Sequence, residues 1–275
     1  MISVVIPAYN EASAIRRTLS DIRAALSSGP AFEVIVIDDG SSDETAAIAT
    51  EAGATVIRHP HNIGYGRSLK DGIAAASHNT VVIIDADGTY PPRDIPRVAA
   101  ELERGFDLVV GARTGVQDSW VKAPLRRFLK FLVEFTTGRR VPDVNSGLRA
   151  FRRSAIMPYF PQLCETFSFT TSMTLAYMLT GRFVQHVPIE YFERVGATKV
   201  RLLRDSLRTL QYIVQSIVYY NPVKLFLLLA GLCLACGLVA ASLGNSLLAG
   251  LAVLTAIVVF GLGLVADLLR QILGK

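Results

Sequence analysis

Short apolar runs and helical periodicities alternate along the first 112 residues of the chain. Apolar residues recur at spacings of four, three and four from Ile15 to Leu26, which predicts an amphipathic helix. Strands that alternate with helices form βα units, so the pattern predicts an α/β fold with a mainly parallel sheet. The β-branched runs predict strands at residues 2–6, 34–38, 55–58, 81–85 and 108–110.

A helix-capping signal follows the second predicted strand. Ser41-Ser42-Asp43-Glu44 has the S-x-x-E spacing of a capping box, in which the first side chain and the last side chain each satisfy a free backbone amide. We therefore expect Ser41 to be the N-cap of the next helix and Glu44 to be its third residue.

The C-terminal part of the chain carries two long apolar runs, residues 225–243 and 247–266, that contain no charged residue. At about 1.5 Å per residue, each run can cross a bilayer core of about 30 Å as a helix. Only Gly244-Asn245-Ser246 separate the runs, so we expect a transmembrane hairpin of two helices. Lys224 before the hairpin and Arg270 after it indicate that both of its ends, and the head, lie on the cytoplasmic side.

Two amphipathic stretches precede the hairpin. Residues 120–138 interleave Phe and Leu with Lys and Arg, which predicts a basic helix that lies in a membrane interface. A core helix with one solvated face is the alternative. Residues 202–220 form the second stretch, which leads into the first apolar run.

Turn signals such as Pro142, Pro158 and Gly181 interrupt the simple alternation after residue 112, so we expect a mixed second half that completes the same domain. The predicted organisation is therefore a head of residues 1–200, divided into halves 1–112 and 113–200, a juxtamembrane amphipathic helix at 201–222 and a transmembrane hairpin at 223–275.

Composition and charge narrow the classes of protein to be considered. With 51% hydrophobic residues and a mean hydropathy of +0.39, the chain is too apolar to be disordered. Its net charge of +5 is uneven: residues 1–112 carry −6, residues 113–153 carry +7 and residues 154–275 carry +4. The acidic half suits a metal or sugar hydroxyls, and the basic stretch beside a membrane suits anionic headgroups or lipid phosphates. Nucleic acid is disfavoured as a partner, because the hairpin fixes the protein at a bilayer.

Acidic pairs follow two of the predicted strands. Asp85-Ala86-Asp87 ends the fourth strand and Asp38-Asp39 ends the second, so both pairs face the sheet edge where α/β folds bind ligands. Carboxylates of the first pair suit Mg²⁺ or Mn²⁺ bridging a diphosphate, and those of the second can accept hydrogen bonds from a ribose or a base N–H. The first strand ends in Pro7-Ala8-Tyr9-Asn10-Glu11, which adds an aromatic face and a carboxylate.

These motifs, in this order, resemble family 2 glycosyltransferases with the GT-A fold, and the resemblance covers about the first 200 residues. Asp143-Val144-Asn145-Ser146-Gly147-Leu148-Arg149 and Arg194-Val195-Gly196-Ala197-Thr198-Lys199, together with the hairpin, resemble the polyisoprenyl-phosphate branch. That branch includes dolichol-phosphate mannose synthase and bacterial undecaprenyl-phosphate glucosyltransferases. The matching motifs are Ser3–Glu11, Val36–Asp43, Asn62-Ile63-Gly64 and Asp85-Ala86-Asp87.

The resemblance implies a GT-A head, Rossmann-like with a mainly parallel sheet, on interfacial amphipathic helices and a membrane hairpin. It implies metal-dependent, inverting transfer of one hexose from a nucleoside-diphosphate sugar, of the GDP-mannose or UDP-glucose type, to a dolichyl or undecaprenyl phosphate. Transfer to a lipid hydroxyl and a non-catalytic sugar-nucleotide-binding scaffold are the alternatives. The expected cofactor is Mg²⁺ or Mn²⁺, and the apolar hairpin allows a homo-oligomer.

The resemblance also implies roles for individual residues. Asp87, Asp143 and Arg194 would be catalytic, with Asp143 as an orienting group or weak base, and Asp85 and Asp87 would hold the metal. The donor would contact Pro7, Tyr9, Glu11, Asp39, Asp85 and Asp87. The acceptor phosphate would contact Arg113, Arg127, Lys130, Ser146, Arg149, Arg194 and Lys199.

Two departures from the family pattern limit these expectations. Thr89 stands where many members have an amide or acidic side chain, so the resemblance does not extend to a third protein ligand for the metal. The Q-x-x-R-W motif of processive polysaccharide synthases is absent from the sequence, which argues against a polymerase.

Overall fold

A computed structural model of the chain describes residues 1–115, 123–192 and 202–273. Its strands are β1 (Ile2–Ala8), β2 (Phe32–Asp38), β3 (Thr55–Arg58), β4 (Thr80–Ile83), β5 (Leu108–Arg113), β6 (Arg149–Arg152) and β7 (Val184–Ile189). Its helices are α1 (Ile15–Leu26), α2 (Thr45–Glu51), α3 (Tyr65–Ala75), α4 (Ile95–Glu101), α5 (Ala123–Thr137), α6 (Arg153–Ile156), α7 (Phe169–Leu179), α8 (Leu202–Tyr220), α9 (Pro222–Ser242) and α10 (Ser246–Leu273).

The strands form one sheet in the order β3-β2-β1-β4-β6-β5-β7. β1 pairs in parallel with β2 and β4, and β5 pairs in parallel with β7, whereas β6 is antiparallel to both β4 and β5. Because β6 is antiparallel to both of its neighbours, β5 runs in the same direction as β4. The carboxyl ends of β1, β2, β4 and β5 therefore share one edge of the sheet, and β6 begins there. The predicted α/β fold with a mainly parallel sheet is confirmed.

Both faces of the sheet are covered by helices. Side chains alternate along a strand, so Val4 and Ile6 of β1 pack with Leu19 of α1 on one face. Val5 points to the other face and joins the core that contains Leu69 of α3. The apolar face predicted between Ile15 and Leu26 is therefore the face of α1 that is buried on the sheet.

One side of the α5 helix is buried, and the opposite side exposes aromatic rings. Its buried side packs with α7 and α8, which contribute Leu175 and Ile213 to a third apolar cluster. The opposite side exposes the rings of Phe128, Phe131 and Phe135, which are 49%, 49% and 37% accessible. A solvated face of a core helix would carry polar groups, so exposed aromatic rings favour the predicted interfacial helix.

The expected capping box does not form. α2 begins at Thr45, and its N-cap residue is Glu44, whose side chain makes no capping hydrogen bond. The hydroxyl of Ser41 instead accepts a hydrogen bond from the amide of Asn10 at 2.9 Å. Asp43 Oδ1 accepts from the Thr45 amide at 3.0 Å. The prediction was wrong because a neighbouring loop, which local spacing does not show, uses the Ser41 hydroxyl.

Two helices at the end of the chain are long and apolar enough to cross a membrane, Pro222–Ser242 and Ser246–Ile272. Only 11% of the most apolar stretch of each helix is buried, whereas the core helix of a soluble protein is mostly buried. The predicted hairpin of two membrane helices fits this structure. Lys224, near the start of α9, donates from Nζ to the carbonyl oxygen of Thr136 at 2.8 Å, which joins the hairpin to the last turn of α5.

We expect Lys224→Met to loosen the end of α5 without unfolding the head. Methionine keeps the apolar stem but removes the charge at the helix C-terminus, a contribution of about 0.3–1 kcal/mol. Backbone amides in the last turn of α5 should therefore exchange hydrogen severalfold faster in mass spectrometry. Arg270→Met is the matched control, since Arg270 pairs with Asp267 inside α10 at 2.9 Å. Unchanged exchange at α5 in the Lys224 variant would contradict this role.

Candidate active site

The predicted donor residues meet at the shared carboxyl edge of the sheet. Pro7 is buried near the end of β1, and the loop after it carries Tyr9, which is 36% exposed, and Glu11, which is 7% exposed. The amide of Glu11 donates to Thr45 Oγ1 at 2.8 Å, so this loop is fastened to the start of α2. The structure thus brings these residues to the edge where β2 and β4 also end.

Asp39 is held in one orientation by three donors. Its Oδ1 lies 2.9 Å from His59 Nδ1 and 3.0 Å from the amide of Ile63, and its Oδ2 accepts from the amide of Gly64 at 2.9 Å. A carboxylate has about four acceptor positions, so this one can still accept a hydrogen bond from a ligand. A cavity of about 330 Å³ opens next to it, lined by Gly40, Ser41, Arg58, His59 and Pro60.

Asp85 is held between α3 and the loop that precedes β6. The hydroxyl of Tyr65 donates to Asp85 Oδ1 at 2.9 Å. On the other side, a Cβ on Gly147 would overlap Asp85 Oδ2, so the backbone itself lies against the carboxylate. The Gly147 amide donates to the hydroxyl of Tyr90 at 2.7 Å. Burial and the neighbouring Asp85 raise the pKa of Tyr65 well above its usual value, so its hydroxyl keeps the proton that it donates.

Asp87 is oriented by Thr89. Asp87 Oδ1 accepts from the amide of Thr89 at 3.1 Å and from its hydroxyl at 2.7 Å. Asp87 is 9% exposed, so most of its side chain is buried. Thr89, the position that departs from the family pattern, therefore contacts the second carboxylate of the D-x-D motif.

The D-x-D carboxylates fit a divalent metal that is completed by a substrate. In the part of the chain that the structure describes, no group of three or more His, Cys, Asp or Glu side chains could hold a metal ion. Mg²⁺ commonly uses one or two carboxylates together with substrate phosphates, and that arrangement needs no further protein ligand. Because Gly147 has no side chain, its backbone can lie directly against Asp85 Oδ2.

Arg113, at the end of β5, forms a bidentate ion pair with Asp143. Arg113 Nε lies 2.6 Å from Asp143 Oδ2, and its Nη2 lies 2.9 Å from Oδ1. The guanidinium carbon also lies 5.1 Å from the centre of the Tyr191 ring. Although burial opposes it, the pairing with Arg113 lowers the pKa of Asp143 below its usual value. Asp143 is therefore an ionised partner that orients Arg113.

Arg149, which was predicted to contact the acceptor phosphate, lies beneath the 143–149 loop. It is fully buried, and its guanidinium donates to the carbonyl of Ser146 at 2.8 Å, to Thr174 Oγ1 at 2.7 Å and to the carbonyl of Val144 at 2.6 Å. Burial lowers the pKa of Arg149 to about 10, so it is a cation at neutral pH. In this conformation Arg149 supports the 143–149 loop from below and is not open to solvent.

The remaining residues that were predicted to contact the acceptor phosphate lie in different surroundings. Arg127 and Lys130 are exposed on α5, where Lys130 lies 3.9 Å from Glu134. Ser146 is fully buried, and among the described residues its hydroxyl has no hydrogen-bond partner. Arg194 and Lys199, also predicted at the acceptor phosphate, lie outside the described residues.

Sequence reasoning missed three aromatic residues of the site. Tyr65 contacts Asp85, Tyr90 contacts Gly147, and Tyr191 stacks edge-on with Tyr90 at 5.3 Å while it faces Arg113. Tyr65 directly follows the Asn62-Ile63-Gly64 motif, which is the only sequence signal near it. The other two are placed by long-range packing, for which one sequence gives no signal.

The match to a known family covers more than half of the chain. Residues 3–160 match the family described as Glycosyl transferase family 2. The chain belongs to this family. The matched region contains the D-x-D motif, Asp39 and the 143–149 loop, so the family assignment includes the site described above.

The family 2 relatives support the predicted branch. An undecaprenyl-phosphate 4-deoxy-4-formamido-L-arabinose transferase of Salmonella paratyphi A is 31% identical over 236 residues, which cover 83% of this chain and 70% of the relative. The corresponding transferase of Salmonella paratyphi B is 31% identical over 239 residues with the same coverage. The resemblance to polyisoprenyl-phosphate glycosyltransferases is confirmed.

Solved structures confirm the GT-A fold. Glucosyl-3-phosphoglycerate synthase from Mycobacterium tuberculosis, in complex with Mn²⁺, uridine diphosphate and glucosyl-3-phosphoglycerate, is 25% identical with a TM-score of 0.64. The match covers 78% of this chain and 79% of that one. The same synthase in complex with Mg²⁺ and uridine diphosphate matches equally well, with a TM-score of 0.64 at 25% identity over the same shares of the two chains. The chain is thus a glycosyltransferase whose structural neighbours bind a divalent metal with a nucleotide.

We expect Asp143→Asn to lower the free energy of unfolding at pH 7 by about 2–4 kcal/mol, because it leaves the partly buried Arg113 without its counter-charge. The pKa of Asp143 is lower in the folded chain than its usual 3.8, so the ion pair stabilises the fold above that pH. The contribution disappears as the pH falls through the lowered value. The difference in the free energy of unfolding between wild type and variant should therefore persist from pH 7 to 5 and become smaller below about pH 4.

Denaturant unfolding in detergent at several pH values measures this difference. Glu51→Gln is the control, since the Glu51–Arg16 pair is 66% and 61% exposed and is expected to contribute less than about 1 kcal/mol. If the free energy of unfolding of the Asp143 variant stayed below that of the wild type by a constant amount down to pH 3, the ion pair would not be the source of the difference.

Proposed function

We propose that this glycosyltransferase moves a single hexose from a nucleoside-diphosphate sugar to the phosphate of a dolichyl or undecaprenyl lipid, with inversion at the anomeric carbon. The observation that carries the proposal is the contact of the 143–149 loop with Asp85. It brings the Arg113–Asp143 pair to the same sheet edge as the D-x-D carboxylates. A donor and an anionic acceptor can therefore meet there.

On the donor side, Pro7, Tyr9, Glu11 and Asp39 are proposed to bind the nucleoside. Asp39 is fixed by three donors and keeps acceptor capacity, which supports a hydrogen bond to a base N–H. Asp85 and Asp87 are proposed to hold Mg²⁺ or Mn²⁺, which would neutralise charge on the leaving diphosphate when bound. Thr89 and Tyr65 keep these two carboxylates in place.

On the acceptor side, three described cations support phosphate binding. Arg113 is held in a fixed orientation at the edge, and Arg127 and Lys130 are exposed on α5. Arg149 and Ser146 are proposed to support the loop and to reach the phosphate only if that loop moves. Arg194 and Lys199 are proposed to complete the site, with Arg194 in a catalytic role.

The acceptor chemistry agrees with the state of Asp143. A phosphate monoester has a second pKa of about 6, so near neutral pH the acceptor is already an anion and needs no strong base. A lipid hydroxyl would need one, and a carboxylate whose pKa is lowered by a bidentate arginine is poorly suited to that task. The chain's contribution is to orient the two substrates for in-line attack and to neutralise charge.

The membrane arrangement follows from α5 and the hairpin. We propose that α9 and α10 span the bilayer with the head in the cytoplasm. The exposed phenylalanines of α5 would then enter the interface beside Arg127 and Lys130, at the level where a lipid phosphate lies. The described residues give no support for a homo-oligomer, so that expectation stays untested.

A donor and acceptor screen on the full chain in detergent tests the proposal. UDP-glucose, GDP-mannose and UDP-N-acetylglucosamine would each be offered with Mn²⁺ and undecaprenyl or dolichyl phosphate. The expected result is a glycosylated lipid phosphate from one donor. Transfer to a diacylglycerol hydroxyl instead, or nucleotide binding with no transfer to any acceptor, would contradict the proposal and favour the lipid-hydroxyl enzyme or the scaffold.

Asp87→Ala should reduce transfer by at least about a hundredfold and lower the melting temperature by only a few degrees, since the amide and hydroxyl of Thr89 lose their acceptor. The side chain lies in a loop after β4, so its loss removes a charge from the site and little packing. Asp21→Ala, which removes an exposed carboxylate from α1, is the control. Turnover of the Asp87 variant near the wild-type rate at saturating Mn²⁺ would refute the assignment.

Arg127→Gln with Lys130→Gln should raise the apparent KM for polyisoprenyl phosphate severalfold and leave the donor KM unchanged. These cations lie on α5, and each basic residue near an anionic surface contributes about 1 kcal/mol. Arg16→Gln with Arg17→Gln on α1 is the matched control, since α1 packs in a different apolar cluster from α5. Steady-state kinetics with both substrates varied measures the effect. Equal losses for donor and acceptor would indicate damage to the head and not a lipid contact.

A further inference from the structure

The loop formed by residues 164–167 lies directly on the first turn of α3. The amide of Arg67 donates to the carbonyl of Glu165 at 2.9 Å, and Lys70 Nζ lies 3.4 Å from the Glu165 carboxylate. A Cβ on Gly66 would overlap the carbonyl oxygen of Cys164, so the two backbones meet with no side chain between them. The position of the 164–167 loop therefore fixes the start of α3, where Tyr65 is the first residue.

Tyr65 reaches from this loop to the D-x-D motif. Its ring packs against Phe167 with centroids 6.4 Å apart, and its hydroxyl donates to Asp85 Oδ1 at 2.9 Å. The other oxygen of Asp85 faces the backbone of Gly147. The first D-x-D carboxylate thus has a donor on one side and a steric wall on the other, which together restrict its rotation.

The 164–167 loop is itself fastened to the helices nearest the membrane hairpin. The amide of Cys164 donates to Ser172 Oγ of α7 at 3.1 Å. Ser168 directly follows the loop, and its hydroxyl lies 2.9 Å from that of Thr209. Thr209 belongs to α8, which ends at Tyr220, immediately before α9. A continuous series of contacts therefore runs from α8, through the loop and Tyr65, to Asp85.

We propose that Tyr65 is a positioning residue for the donor site: its hydroxyl holds the Asp85 carboxylate in the orientation that binds the metal–diphosphate end of the sugar nucleotide, and the 164–167 loop holds Tyr65. This inference rests on the proposed function. Tyr65 acts through Asp85 and contacts no reacting atom. A carboxylate that is already oriented loses less rotational freedom on binding, so the benefit is expressed as donor affinity.

Tyr65→Phe tests the proposal, because it keeps the ring on Phe167 and removes only the hydroxyl. Binding of the nucleoside diphosphate selected by the donor screen would be measured by calorimetry, with Mn²⁺ and again in EDTA. We expect about tenfold weaker binding with Mn²⁺, as for a lost hydrogen bond to a charged group, and less than a twofold change in EDTA. The donor KM should rise in parallel, while the KM for polyisoprenyl phosphate stays unchanged.

Two controls keep the result interpretable. Tyr159→Phe removes a hydrogen bond to Thr180 of 2.8 Å that does not involve the D-x-D motif, and it should leave binding unchanged. Phe167→Leu loosens the support of Tyr65 but keeps its hydroxyl, and it should weaken Mn²⁺-dependent binding by about two- to threefold. Melting temperatures of all variants report on the fold.

The possible results distinguish a failure of the Tyr65 positioning role from a failure of the proposed function. Wild-type affinity in the Tyr65 variant overturns the positioning role. The same loss in EDTA as with Mn²⁺, together with a lower melting temperature, also overturns it and assigns Tyr65 to packing alone. A wild-type chain that binds none of the nucleotides contradicts the proposed function, and the inference that rests on it is then rejected as well.

Discussion

The close contact between the Asp85 carboxylate and the Gly147 backbone is the constraint on which the arrangement of the site depends. It requires the 143–149 loop to cross the carboxyl end of β4 without a side chain at that point. The sheet allows this because antiparallel β6, which begins at Arg149, the last residue of the loop, lies between β4 and β5. The contact between Asp85 and Gly147 thus joins the acidic N-terminal half of the head to its basic second half.

The repeating part of the fold could be predicted from the sequence because its signals are local. β-branched runs and the apolar face of α1 follow from residue spacing, and acidic pairs at strand ends reach a common edge in any parallel sheet. The insertion of β6 between β4 and β5 could not be predicted, since strand order depends on packing across distant segments. The capping box failed for the same reason, because Asn10 of another loop uses the hydroxyl of Ser41.

Charge counting identified the basic stretch correctly but did not distinguish the roles of its members. Arg113 is neutralised by Asp143, Arg149 is buried under a loop, and Arg127 and Lys130 face outward on a helix. These surroundings differ in solvation and in pairing, so the same formal charge gives a paired group at the site, a buried structural support and an exposed surface group. Only the tertiary structure separates them.

The hydrogen bond from Lys224 to the Thr136 carbonyl makes the first membrane helix and the α5 helix parts of one mechanical unit. A hydrophobic segment tilts when the bilayer around it is thinner than the segment is long. A tilt of α9 would therefore carry the end of α5 with it and change the depth of its aromatic rings. In a membrane that these helices cross, bilayer thickness would then influence how far the sheet edge stands above the lipid surface.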